Sequence, residues 1–133
     1  ETDDYLYAIN YLSNKENINI NATCITSFLQ ATAACSSGAS ILSFFWGKMT
    51  DEGIDPTDHI ASLKKYIMAN NYNSEILCGS IRQTRVIHEA FMSGSDILTL
   101  PYDYFLKIAQ RRKSDEATKI FDNSWKSSNL TLI

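Results

Sequence analysis

The sequence predicts an α/β chain built on a parallel sheet, and three observations carry that prediction. Stretches of four to eight largely apolar residues recur along the chain, at Ile18–Ile25, Ala39–Phe45, Glu75–Gly79 and Asp96–Leu100. Segments of helical period lie between them, and the strand-plus-helix unit repeats every ~20 to 30 residues. Strands that are apolar throughout rather than alternating suit a parallel sheet covered by helices.

Each element has its local signals. Tyr5, Ile9 and Leu12 form an apolar stripe at helical spacing, ended by the polar run Ser13 to Asn17. The β-branched run Ile18 to Ile25 reads as the first strand. Ser27 to Ser37 returns to helix, with Phe28, Ala31, Ala34 and Cys35 on one face and Gly38 as its stop. Ala39 to Phe45 is the second strand, followed by a loop from Gly47 to Asp55. Asp55 then caps a helix that opens on Pro56 and runs to Ala69 through Ile60, Leu63 and Ile67. Glu75 to Gly79 is the third strand, Gln83 to Ser93 a helix stopped by Gly94, and Asp96 to Leu100 the fourth strand. Pro101 opens a helix over Tyr102 to Gln110, and Ser114 caps a last one that reaches Trp125.

This order fits a doubly wound sheet or part of a (β/α)8 barrel. No strand is followed by GxGxxG or GxxxxGK, so nucleotide binding through a glycine-rich loop is unsupported and the doubly wound option loses weight.

Composition narrows the function classes. Hydrophobic residues make up 44% and charged residues 20%, which excludes a disordered chain. With 12 Lys+Arg against 15 Asp+Glu there is no basic excess to displace counterions, so no nucleic-acid partner is expected. The apolar runs fall far short of the ~20 residues of a membrane helix, so no membrane partner is expected either. Cys24, Cys35 and Cys78 show no CxxC and no metal-like spacing; they read as buried free thiols in a reducing compartment, here the cytoplasm, with no metal and no cofactor. The sequons Asn21-Ala22-Thr23 and Asn129-Leu130-Thr131 would matter only in a secreted protein, and no leader segment is visible. The chain begins at Glu1 rather than Met, as a processed, cleaved or excerpted piece would.

In a βα barrel the chemistry sits at the C-terminal ends of the strands. There the sequence offers Asn21 and Thr23, then Ser43 with Lys48, then Ser80 and Arg82. A hydroxyl, a guanidinium and the free N–H groups of a helix start make a site for phosphate or another oxyanion, to which Lys48 adds charge. The bland alternative is that Ser80 caps the helix and Arg82 is a solvated first-turn residue. His59 and His88 have no carboxylate or serine placed to complete a triad and read as surface or core residues. Trp46 lines the site's mouth or joins the core. Arg111, Arg112 and Lys113 read as complementing the dipole at a helix C-terminus.

Four stretches resemble one family. Asn21-Ala22-Thr23, Gln30-Ala31, and Ser36-Gly38-Ala39 leading into Ser43-Phe45-Gly47-Lys48 are similar to the transaldolase pattern N-x-T-x-x-x-S-x-x-Q-A and its S-P-F-V-G-R strand. Leu77-Cys78-Gly79-Ser80-Ile81-Arg82 resembles L-A-A-S-F-R, and Ala90 to Pro101 resembles A-x-x-A-G-(A/C)-D-x-(I/V)-T-L-P. The tail Phe121-Asp122-Asn123-Ser124-Trp125 is similar to the F-x-x-D-W ending of the short members, the transaldolase/fructose-6-phosphate aldolase type.

The resemblance implies a (β/α)8 barrel, of which residues 1–133 are the C-terminal half with strands five to eight. It implies aldol transfer or cleavage of a phosphorylated ketose, such as fructose 6-phosphate, through a lysine Schiff base. Asn21 and Thr23 then line the dihydroxyacetone pocket, Ser43 is the next strand's inward serine, and Lys48, Ser80 and Arg82 hold the phosphate. Phe121 and Trp125, on a terminal helix over 114–126, would pack on a neighbouring subunit of a homo-oligomer.

The departures point elsewhere. The family's Schiff-base lysine lies one strand upstream of the region that residues 1–12 resemble, and none of the eight lysines here falls on a predicted strand. Phe44 replaces the usual proline, Phe45 cannot move a proton, and Lys48 for arginine exchanges a bidentate fork for a point charge. Four strands alone would leave an open inner face and two unpaired edges, each wet apolar side chain forgoing ~1.5–3 kcal/mol, so an N-terminal half or a self-pairing half-barrel is expected. The rival reading is a non-catalytic family member that binds a sugar phosphate or acts as an assembly partner, and a third is an unrelated doubly wound phosphate-binding domain.

Overall fold

The structure, a computed structural model, describes residues 2–109 and 112–128. The chain divides into two compact units, residues 1–100 and 101–133.

The first unit runs α1 (Thr2–Asn14), β1 (Asn21–Ile25), α2 (Phe28–Ser36), β2 (Ile41–Phe45), α3 (Trp46–Asp51), α4 (Pro56–Ala69), β3 (Glu75–Gly79), α5 (Thr84–Ser93) and β4 (Ile97–Leu98). The four strands form one parallel sheet in the order β1-β2-β3-β4. One face of β2 and β3 carries Leu42, Phe44, Ile76 and Cys78, all fully buried. These cluster with Ala31, Ala34 and Cys35 of α2, Ile60, Leu63 and Ile67 of α4, and Val86 and Ala90 of α5. Consecutive strand residues point to opposite faces, so Ser43 and Gly79 belong to the other side. A sequential parallel order with its core on one face fits a section of a barrel.

Local caps hold α2, α4 and α5 in place, those at Asp55 and Gly94 as the sequence led one to expect and Ser27 as a cap where a first helical residue was expected. Ser27 Oγ accepts the Gln30 N–H, and Asp55 accepts the Thr57 N–H at 3.0 Å with Pro56 following as expected. Gly94 ends α5 at φ +109, in the left-handed region that favours glycine. Asp96 ties α4 to the sheet: Oδ1 accepts from Lys64 Nζ at 2.5 Å and Oδ2 from the Ile76 N–H at 2.9 Å.

Several expectations are corrected. The first strand begins at Asn21, not Ile18, because the Ile18 N–H turns back to the Leu12 carbonyl and the Ile20 carbonyl takes both the Ser40 and Ile41 N–H groups. The second strand likewise starts at Ile41. The fourth shrinks to Ile97–Leu98, although the Asp96 and Thr99 N–H groups still bond to Ile76 and Cys78 across the ladder. Residues 46–51, expected as strand end and loop, form α3; it has no side-chain cap and exists because it buries Trp46 and Met49, packing that overrides a weak local signal. The strands are not buried throughout: Asn21, Thr23 and Cys24 of β1 are exposed and only Ile25 is buried. Cys24 is thus no core thiol, unlike Cys35 and Cys78.

The second unit holds α6 (Tyr102–Ala109) and α7 (Arg112–Ser127). Ser114 does not cap the last helix; it lies inside it, its carbonyl accepting the Thr118 hydroxyl at 2.9 Å. Arg112 and Lys113 open α7 rather than close a helix, and both reach Glu116, at 3.5 and 3.4 Å. Phe121 and Trp125 are exposed on α7. Gln110, Arg111 and the sequon at 129–131 lie outside the described residues.

Candidate active site

Two groups of polar residues form at the sheet, and each contains residues that the sequence singled out. On the face opposite the core, Ser43 Oγ donates to Asn21 Oδ1 at 2.6 Å, joining β1 to β2; Ser43 is 3% exposed. Thr23 is exposed two residues further along β1. The strand carries a bulge there: Ala22 pairs with Leu42 but Ile25 with Phe44, so Thr23 and Cys24 together stand opposite Ser43. Cys24 absorbs the extra residue at φ +61. A β-branched or bulky residue is rarely held there, and a short thiol is tolerated. On the same face a Cβ at Gly79 would lie 3.1 Å from Thr99 Oγ1, so Thr99 sits beside β3.

The second group surrounds Gly47. A Cβ at that position would meet Ser80 O at 2.4 Å, Ser80 Oγ at 2.7 Å and Arg82 Nε at 2.9 Å, so the bare backbone of α3 lets the β3–α5 loop close onto it. Ser80 stands at φ +58, strain of the kind that collects at functional turns. Arg82 Nη1 donates to Asp51 Oδ1 at 2.5 Å, both side chains about half exposed. The Arg82 hydrogen bond holds the Asp51 carboxyl below the usual carboxylate range, and Lys48, on the same short helix, adds to the effect. Lys48 itself is exposed.

The structure therefore brings Asn21 together with Ser43, with Thr23 alongside, and Ser80 together with Arg82, whose partner Asp51 shares its short helix with Lys48. It does not gather all six into one cavity. A groove of about 560 Å³ between α3, the start of α4 and α5 includes Arg82, Asp51, Gly47 and Trp46 in its lining, but neither Ser80 nor Lys48. Trp46 is thus both core, at 3% exposed, and groove wall.

Of the bland alternative for Ser80 and Arg82, the capping role fails while the solvent exposure of Arg82 stands. The N-cap of α5 is Gln83, and the helix starts at Thr84, so Ser80 caps nothing and Arg82 precedes the first turn. For the same reason the helix N–H groups stand further along the chain than expected. His59 accepts the Phe28 N–H through Nδ1 at 3.1 Å and so helps to start α2, a packing role. Among the described residues no group of His, Cys, Asp and Glu could hold a metal ion, no strand carries a lysine, and no helix is long and apolar enough to cross a membrane.

Sequence reasoning missed Asp51, the close approach at Gly47, which it read only as part of a motif and a loop start, and the bulge at Cys24. For the first two the available signal was spacing: Asp51 falls one helical turn from Gly47 and three residues from Lys48, visible only if 46–51 is read as helix.

A family model described as Transaldolase/Fructose-6-phosphate aldolase matches residues 2–131. Among curated proteins, a "probable transaldolase" of Thermoplasma volcanium is 35% identical over 127 residues, which cover 94% of this chain and 56% of that protein. One of Petrotoga mobilis is 33% identical over 123 residues, 92% of this chain and 55% of that protein, and one of Lactiplantibacillus plantarum 29% over 130 residues, 98% and 59%. The chain spans little more than half the length of these relatives. Among solved structures, a GMP reductase variant from Trypanosoma brucei shares the fold with a TM-score of 0.54 at 16% identity, covering 73% of this chain and 24% of that one.

Proposed function

The chain belongs to the transaldolase/fructose-6-phosphate aldolase family, and from that premise we propose that it is the C-terminal half, residues 1–133, of a (β/α)8 aldolase barrel, contributing strands five to eight. The reaction is aldol transfer or cleavage of a phosphorylated ketose such as fructose 6-phosphate. A lysine on a strand upstream of this chain attacks the ketose carbonyl, and the resulting iminium takes up the electron pair as the carbon–carbon bond breaks. Asn21, Thr23 and Ser43 line the dihydroxyacetone end. Lys48, Ser80 and Arg82 take the phosphate end, as a hydroxyl and two cations suit an oxyanion. Helix α7, with Phe121 and Trp125 exposed, docks on a neighbouring subunit of a homo-oligomer in the cytoplasm, and the upstream half of the barrel covers the open face of the sheet.

The observation that carries this reading is the two-sidedness of the sheet. Its core face is wholly apolar on β2 and β3, while the opposite face presents the bonded pair Ser43 and Asn21 with Thr23 beside them. A barrel interior that handles a polyol needs that polarity.

Borohydride reduction of the full-length protein with fructose 6-phosphate is the test. A reduced covalent adduct on a lysine outside residues 1–133 is the expected result, and its absence defeats the Schiff-base assignment. The second reading, a non-catalytic sugar-phosphate binder or assembly partner, is favoured by Lys48 in place of arginine and Phe44 in place of proline. It predicts that the sugar phosphate binds but no adduct forms.

A further inference from the structure

We propose that Asp51 is a positioning residue for Arg82: it fixes the guanidinium so that Arg82 and Ser80 present an anion site together. This rests on the reading of Lys48, Ser80 and Arg82 as the phosphate contacts.

The loop that carries Arg82 is anchored at its base, because Ile81 is buried to 1% exposure in the core. The side chain beyond is half exposed and long, so left to itself it would spread over many rotamers. Residues of α3 restrain it. Asp51 Oδ1 takes Nη1 at 2.5 Å, and Nε lies against the bare backbone of Gly47, 2.9 Å from where a Cβ would stand. Ser80 Oγ lies 2.7 Å from that same point, so the arginine Nε and the hydroxyl both stand against the Gly47 backbone, close to one another. Asp51 does this without cancelling the charge of the site, since Lys48 and Arg82 together outweigh one carboxylate.

A carboxylate beside an anion site also repels the anion, and the two effects have opposite signs. Both partners of the Asp51–Arg82 pair are about half in water, where Coulomb terms are small and screened. Ordering a long side chain before binding is worth about three- to tenfold in affinity. Positioning therefore wins.

The test is the dissociation constant of inorganic phosphate, measured by calorimetry on the full-length protein. Asp51→Asn, an isosteric change at an exposed site, is expected to weaken phosphate about three- to tenfold. Asp51→Glu, which keeps the carboxylate on one further methylene, recovers most of that loss. In an Arg82→Ala background, Asp51→Asn weakens phosphate no further, because the pair acts as a unit. An unchanged or tighter constant in Asp51→Asn overturns the proposal, as does Asp51→Glu no better than Asp51→Asn, or an equal loss with Arg82 absent. If the wild-type protein itself does not bind phosphate, the phosphate-site reading falls and takes this inference with it; if it binds and only the Asp51 variants behave like wild type, the inference alone falls.

Discussion

Gly47→Ala is a substitution on which two physical effects disagree in sign. Gly47 lies in α3 and has no left-handed φ, so helix propensity alone favours alanine by ~0.8–1.0 kcal/mol. The surroundings oppose it. The new methyl would stand 2.4 Å from the Ser80 carbonyl oxygen and 2.7 Å from its hydroxyl, and 2.9 Å from Arg82 Nε. Arg82 can swing away, but the Ser80 carbonyl is main chain, in a residue already at φ +58 between buried Gly79 and buried Ile81. Relief needs a shift of α3 against the β3–α5 loop, and overpacking of this kind costs ~1–3 kcal/mol. The difference is a net loss of about 0–2 kcal/mol, toward the upper end because the Ser80 carbonyl is main chain, in urea unfolding of the full-length protein, read as a lower midpoint at unchanged slope. Gly53→Ala is the contrast: Gly53 has φ +75 but no atom within 4 Å of an added Cβ, so its cost is the roughly 1–2 kcal/mol of the left-handed backbone, with α3 and the Ser80 loop left in place. Should Gly47→Ala prove as stable as wild type or more so, the close approach of α3 to Ser80 is wrong, and the geometry inferred for the anion site goes with it.

Three further outcomes follow from the same contacts. The Thr57 N–H and hydroxyl hold the Asp55 carboxyl below its usual range, so its share of stability is present above the ordinary carboxylate pKa of ~4 and is lost as pH falls through the lowered folded value; Asp55→Ala should cost ~0.5–2 kcal/mol at neutral pH in urea melts, whereas Asp55→Asn keeps the cap and removes only the acid-side dependence. Cys78 is buried, its thiol pushed up to about 11 by burial, and burial raises Cys35 too; iodoacetamide at pH 8 should leave both unlabelled in the native protein and label them only after denaturation, as mass spectrometry of peptides will report. Phe44→Ala empties a fully buried site on the core face of β2 and should destabilise by ~3–5 kcal/mol in the same melts, a smaller loss meaning that the core collapses around the cavity.

The parts of the candidate site that were legible in the sequence are those carried by residue type and local order. Asn21 and Ser43 stood out as polar residues in apolar strands, and the pairing of β1 with β2 brings them together, whereas Ser80 and Arg82 stood out beyond the end of β3, two residues apart in one loop. Asp51 did not stand out, because nothing in its own neighbourhood marks it: an aspartate near a glycine reads as loop until tertiary packing of Trp46 and Met49 winds residues 46–51 into helix. The bulge was equally hidden. Its cause is a register shift between β1 and β2, and pairing register is a property of two strands, not of either sequence alone.

Hydrophobic period, caps and turn residues determined the alternation of the four strands with their helices (α3 apart), the start of α4 at Pro56, the stop of α5 at Gly94 and the extent of β3, since each of these depends on neighbours within a few residues. Tertiary structure alone decided which face of the sheet is apolar, where β1 begins, and that α3 sits against Ser80 with Asp51 holding Arg82. Those features are set by contacts between segments some thirty residues apart, whose free energy exists only once the backbone has closed the distance.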